Sequence, residues 1–264
     1  MLYIILLVSL VIFFTFGSIM GVIQTKRMLQ MDLDERIRLD FYATVTFSMW
    51  IPVIAVLTVV GFSDTAFADI GFSLFVFDYN IVFTVVVLIV VFMWAAFSLY
   101  RIAAFLFSAK HRKRRYEIMQ KKANSNNYYD LVEAKLMTPK TKREKRWWLG
   151  ISLTTGICEE IIFRGVFIYL IASIFPYLSI FLVFVIAVAL FGLGHFYQGA
   201  KGLILTTLAG AFLALAYIVS GSLIPVIVVH FINNFAMAFE YSDRENVVID
   251  KLALSKEIEK KGIA

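Results

Sequence analysis

The feature that most constrains this chain is a succession of apolar runs long enough to cross a bilayer, beginning with residues 1–24. A hydrocarbon core about 30 Å thick takes roughly 20 residues of helix to span. Hydrophobic residues make up 61% of the chain and charged residues only 17%, which excludes a soluble domain, disorder, coiled coil and collagen. The expected fold is therefore all-α: a polytopic membrane helix bundle of about seven transmembrane helices.

The spans are read at residues 1–24, 41–62, 80–108, 149–175, 178–196, 203–220 and 223–239. The first has no basic leader and no small-residue cleavage site before Lys26, so it is expected to stay in the membrane. Pro52 is expected to kink the second, and Pro176 to end the fourth. Between the first two, residues 25–40 are of mixed charge with a Leu29, Leu33, Ile37 stripe, fitting a surface connection or a short interfacial helix. Residues 63–80 hold Asp64, Asp69 and Asp78 and no Lys or Arg, and read as external. No internal repeat is found, which argues against an inverted-repeat transporter.

The net charge of +6 is localised: residues 110–146 hold thirteen Lys and Arg against four acids. This basic loop, residues 109–147, has no clear period around 124–129, and marks a cytoplasmic face rather than a nucleic-acid surface. Lys and Arg placement puts the amino terminus outside and the carboxyl terminus inside, so the number of spans must be odd. Three units follow: residues 1–148, with three spans and the basic loop; residues 149–240, a four-helix catalytic core; and residues 241–264, a charged cytoplasmic tail.

Ionisable side chains inside spans cost a few kcal/mol each on insertion scales, so Glu159, Glu160, Arg164, His195 and His230 require a reason. Glu160 and Arg164 lie at i, i+4 and can neutralise each other, whereas adjacent glutamates diverge on a helix, leaving Glu159 to face another group. His230 and Asn234 are again i, i+4. A carboxylate that takes a proton from water, with imidazole and amide donors for a developing oxyanion, is the chemistry this set offers. By helical rise, Glu159 lies roughly 17 Å from Trp148, His195 roughly 9 Å from Lys201 and His230 roughly 20 Å from the tail, so the three can meet in a polar, conical cavity open toward the cytoplasm. Pro225 is positioned to bend the last helix toward it. Cys158, the single cysteine, reads as a small packing residue.

Glu159-Glu-Ile-Ile-Phe-Arg164, Phe191-Gly-Leu-Gly-His195 and His230-Phe-Ile-Asn-Asn234 fit EExxxR, FxxxH and HxxxN, in that order on successive apolar segments. The trio resembles the CPBP family of intramembrane proteases, which includes the eukaryotic CAAX prenyl endopeptidase and bacterial members associated with bacteriocin self-immunity and abortive infection. The resemblance implies that Glu159 with His195 activates water, that His230 and Asn234 stabilise the oxyanion, and that Glu160 and Arg164 support the site. It implies no cofactor; Glu159, His195 and His230 are a donor set competent for zinc, but there is no HExxH helix.

The expected activity is thus endoproteolysis of a membrane-associated protein or peptide, hydrophobic or lipidated, in a bacterial cytoplasmic membrane. A non-catalytic immunity or scaffold protein is the alternative, and a proton-linked transporter a further one. Ser152 with Gly156 and Gly210 with Ala214 have small-xxx-small spacing, which packs helices within a chain or between chains and leaves oligomeric state open.

Overall fold

The computed structural model describes residues 1–31, 33–74 and 81–239. The expected tail, residues 241–264, and Asp78 with Asn80 lie outside the described residues. Among those described, the secondary structure is helical throughout: α1 (Leu2–Leu29), α2 (Glu35–Gly61), α3 (Ile81–Phe107), α4 (Ala109–Ala123), α5 (Tyr128–Val132), α6 (Lys142–Glu159), α7 (Phe167–Ile174), α8 (Ile180–Gly194), α9 (Gly199–Ser220) and α10 (Leu223–Ala236). π-Helical segments at Glu133–Met137 and Glu160–Val166 continue α5 and α6, so the chain is helical from Lys142 to Ile174. Four stretches are long and apolar enough to cross a membrane: α1, α2, α3 and Phe196–Ser220, while Ile180–Gly194 and Leu223–Phe239 are shorter apolar helices.

The outer faces explain the solvent. Ile5, Ile12 and Phe16 on α1, Val82 and Met93 on α3, and Phe181 on α8 are exposed. Apolar surface on that scale is stable only against hydrocarbon, and the molecule is an integral membrane protein. Inside, α6 packs on α2 and α10, α8 on α9, and α10 on α3. The centre of the core is the π-helical segment itself, where Ile162, Phe163 and Val166 are buried with Phe167 and Phe191.

Polar side chains stitch both ends of the bundle. At the end bearing the 63–74 connection, the Tyr3 hydroxyl shares hydrogen bonds with Thr65 (2.7 Å) and Tyr169 (3.2 Å). There Ser73 Oγ donates to Gly221 O and Ser222 Oγ to Ser73 O, each at 2.8 Å. Gly71 turns there at φ 85°, and a Cβ would meet the Tyr217 ring at 2.5 Å, so glycine is required twice over. At the basic end, Thr141 caps α6 with Glu144 completing a capping box. Glu144 Oε1 also accepts from Arg38 Nε and Nη2 at 2.9 and 2.7 Å, a buried ion pair tying the start of α2 to the start of α6.

Several expectations change at this level. The basic loop is largely helical: α4, α5 and the Glu133–Met137 segment fold back against the bundle, where Val132 and Leu136 bury with Met28 and against Leu29, Leu33 and Ile37. Residues 25–29 belong to α1 and 35–40 to α2, which fits a surface connection; Asp34 Oδ1 caps α2 through Ile37 N (2.8 Å), and no separate interfacial helix occurs among the described residues. Pro225 occupies the first turn of α10, which begins after Ser222; proline there preorganises a helix start instead of bending its middle. The return expected at residues 198–202 sits between α8 and α9 at residues 195–199, one turn earlier, with Gly199 at φ 78°. Helix α6 begins before Leu149, so the division at 148 and 149 falls inside it. Both small-residue pairs have intrachain contacts: a Cβ on Gly156 would lie 3.2 Å from Phe231 N, and Gly210 abuts Phe191.

Candidate active site

Glu159 is the last residue of α6 and Glu160 the first of the π-helical segment. A π turn inside an α-helix is uncommon and recurs at functional sites. Both side chains are buried, and both turn to the same imidazole, from its two edges. Glu160 Oε1 lies 2.6 Å from His230 Nδ1, and Glu159 Oε2 lies 3.9 Å from His230 Nε2. Divergent neighbours on one helix can therefore serve one flat ring.

Glu160 is held from behind. Its Oε1 accepts from Arg164 Nη1 at 3.1 Å, Arg164 Nη2 donates to Gly210 O at 3.0 Å, and the guanidinium stacks 4.1 Å from the Phe191 ring centre. Arg164 is 1% exposed and Glu160 0%, so this pair is fully desolvated and depends on those partners. Glu160 Oε1 accepts from Arg164 and serves as the acceptor for His230 as well, so His230 Nδ1 carries the hydrogen in their hydrogen bond. Glu160 thus has a second task besides neutralising Arg164: it orients His230. Neither Glu160 nor Arg164 lines the cavity described below.

His195 caps the end of α8. Its Nδ1 lies 2.9 Å from Phe191 O, and a carbonyl only accepts, so Nδ1 bears hydrogen. The other nitrogen, Nε2, faces Glu159 Oε2 across 3.6 Å. Glu159 Oε2 is buried, makes no hydrogen bond to the protein, and stands between the two imidazoles.

Asn234 completes the group on α10. Its Nδ2 donates to Thr155 Oγ1 at 3.0 Å, and Thr155 Oγ1 donates onward to Ile151 O at 2.9 Å. Trp148 Nε1 donates to Asn234 O at 2.9 Å, fixing the backbone at that turn. Glu159, His195, His230, Asn234 and Thr155 all border one cavity of about 290 Å³. Trp94, Leu205 and Leu213 give it apolar walls; Tyr129, Val132, Leu136 and Met137, from the basic segment, border it as well.

Two contributors escaped the sequence reading. Thr155 precedes Glu159 by four residues, a same-face relation that flags it in retrospect. Asn233 lines the cavity and accepts from Ser98 Oγ at 3.3 Å; its signal was only adjacency to Asn234. Cys158 is buried and outside the cavity lining. Among the described residues, no group of three or more His, Cys, Asp and Glu is disposed to hold a metal ion.

Comparison with curated proteins and with solved structures gave no match. Residues 144–236, which contain every side chain of the EExxxR, FxxxH and HxxxN set, match the family model described as type II CAAX prenyl endopeptidase Rce1-like, a finding consistent with a CPBP-family protease.

Proposed function

We propose that the protein is an intramembrane endopeptidase that hydrolyses a peptide bond in a membrane-associated protein or hydrophobic peptide. One observation carries this reading: Glu159 Oε2 stands 3.6 Å from His195 Nε2 and 3.9 Å from His230 Nε2 on the wall of a partly open, mostly apolar cavity. With Nδ1–H committed to Phe191 O, neutral His195 offers a lone pair at Nε2. A water between them donates one hydrogen to Glu159 and one to His195, and its oxygen is left to attack.

In that mechanism Glu159 takes the proton as the oxygen–carbon bond forms. The developing oxyanion is met by the second Nδ2–H of Asn234 and by Nε2–H of His230. The latter donor requires the imidazolium, whose charge is balanced locally: Glu159 and Glu160 bring two negative charges, Arg164 and His230 two positive. Glu159 then hands its proton to the leaving amine nitrogen as the carbon–nitrogen bond breaks, and is regenerated as the carboxylate. The reading uses carboxylate and imidazoles alone; full activity in a chelator supports it, and loss restored by zinc overturns that part.

Seven crossings, with α6 to α7 as the fourth, an external amino terminus and a cavity reached from the cytoplasmic side of a bacterial membrane, belong to the same proposal. What supports them is that α5 and the Glu133–Met137 segment, which lie within the basic stretch 109–147, border the cavity through Tyr129, Val132, Leu136 and Met137. The test compares membrane-peptide profiles of cells making the intact protein with those making Glu159→Ala or His230→Ala at equal expression. A peptide pair produced only by the intact protein is expected. Unchanged cleavage in both variants overturns the assignment.

A further inference from the structure

Among the described residues, helix α4 carries the densest run of basic side chains, and the mechanism does not use it. A single residue, Ser108, separates it from the membrane helix α3, and the Ser108 Oγ cap on His111 N (3.2 Å) starts it. Arg112 Nη1 reaches back to Phe105 O and Leu106 O at 3.0 and 3.3 Å, clasping the last turn of α3. The first turn of α4 is therefore held against the last turn of α3, a helix long and apolar enough to cross a membrane.

Its two sides differ. Tyr116 and Met119 are buried, Met119 against Thr138 at 3.8 Å. Lys110, Lys113, Arg114 and Lys121 are exposed and, at i, i+3, i+4 and i+11, share one side, with Glu117 among them as the single acid. His111, on the same helix, titrates below its ordinary value because of burial and of Arg115, Arg114 and Arg101, as expected in an excess positive field. Beside this face, Phe107 is 87% exposed and Leu106 52%.

We propose that this face of α4 binds the anionic phospholipid headgroups of the adjoining leaflet, and that their binding is transmitted to the cavity wall. A leaflet supplies negative charge and hydrocarbon side by side, which matches the Lys and Arg side chains next to Phe107 and Leu106; an acidic protein surface supplies only the first. The transmission path is short. Lys122, at the end of α4, pairs with Glu133, the first residue of the Glu133–Met137 segment, and Leu136 and Met137 of that segment line the cavity. Asp130 Oδ1 ties the strap that α5 forms with that segment to Lys201 on α9 at 2.8 Å.

The surface part stands without the hydrolase reading; the transmission part rests on it for its functional meaning. The test uses the purified full chain, with lipid retention measured by native mass spectrometry during titration with phosphatidylglycerol or phosphatidylcholine. Wild type is expected to retain phosphatidylglycerol preferentially. K113Q/R114Q, which leaves the other basic residues of the loop to hold topology, should weaken that retention about tenfold. Equal retention by the two proteins, or of the two lipids, overturns the surface, and displacement of phosphatidylglycerol by polyglutamate at matched charge overturns the choice of lipid. Hydrogen exchange in residues 128–137 should slow with phosphatidylglycerol in wild type, and not in K113Q/R114Q or E133Q, the latter still retaining lipid. Unchanged exchange in wild type overturns the transmission. Absence of proteolysis in every lipid would remove the proposed function and leave the retention result intact.

Discussion

Helices α1 to α3 and helices α6 to α10 are both apolar, yet they are held by different forces. A Cβ built on Gly17 of α1 or Gly61 of α2 meets nothing within 4 Å. On Gly192 of α8 it would lie 2.2 Å from Thr207 Oγ1, and on Gly210 of α9 2.4 Å from the Phe191 ring. The first region presents Ile, Val and Phe to lipid, which accepts any shape. The second closes on itself around buried ions, where backbone must approach backbone and each polar atom needs a partner. The lesson is that membrane proteins concentrate specificity where helices leave lipid and meet each other.

The sharpest way to break this contrast is Arg164→Leu. It strands Glu160 with no solvent and one fewer donor, so unfolding in detergent should be easier by about 3–5 kcal/mol. No single apolar substitution at an exposed site of α1, Ile12→Ala for example, should approach that loss. If the two prove equal in a denaturant titration, the buried pair is not what holds the second region.

Gly210→Ala and Gly17→Ala test packing without charge. The first forces Phe191 and Arg164 apart and should destabilise by about 1–3 kcal/mol. The second adds helix propensity in open space and should stabilise by about 0.5–1 kcal/mol. Opposite signs in thermal unfolding are expected.

Thr155→Val keeps volume and removes the acceptor for Asn234 Nδ2, an interaction worth about 1 kcal/mol. Thr155→Ser should restore it. On the proposed mechanism the valine variant lowers kcat with KM nearly unchanged, since a freely rotating Asn234 amide is lost mainly to the transition state. A KM effect alone would instead make Thr155 part of the substrate surface.

These same residues mark how far the sequence could be read. The longest apolar runs report directly the four helices long enough to cross a membrane, because nothing but lipid or a large core tolerates them. The three motifs report which side chains are expensive, and expense is what drew Glu159, His195 and His230 out of the background. Helix α4 was missed because Tyr116 and Met119 are its only buried positions, too few to show a period. The π-helical turn at Glu160 was invisible, since Glu160 and Arg164 pair at i, i+4 whether the turn is widened or not. Arg38 with Glu144, 106 residues apart, and Asn234 with Thr155, 79 apart, join helices whose adjacency no local pattern encodes.

The smallest expected effect comes from an exposed ion pair on the basic side, set against the buried one nearby. Asp130 binds Lys201 at 2.8 Å, and that hydrogen bond holds its carboxyl below the ordinary carboxylate range. A carboxyl depressed on folding contributes stability above its unfolded value, near 3.9, and loses it as pH falls through the folded value. The contribution is therefore constant at neutral pH and fades only in acid, below about pH 4. Solvent screens the pair, so Asp130→Asn should cost only a few tenths of a kcal/mol at pH 7, and the difference from wild type should vanish in acid and shrink with salt. Arg38→Leu, which leaves Glu144 buried and unpaired, should cost several times more and be indifferent to salt. Thermal unfolding of both variants across pH 3–7 at two ionic strengths separates them: a large, salt-sensitive loss at Asp130 would mean that the strap bordering the cavity is held by its latch rather than by the burial of Val132 and Leu136.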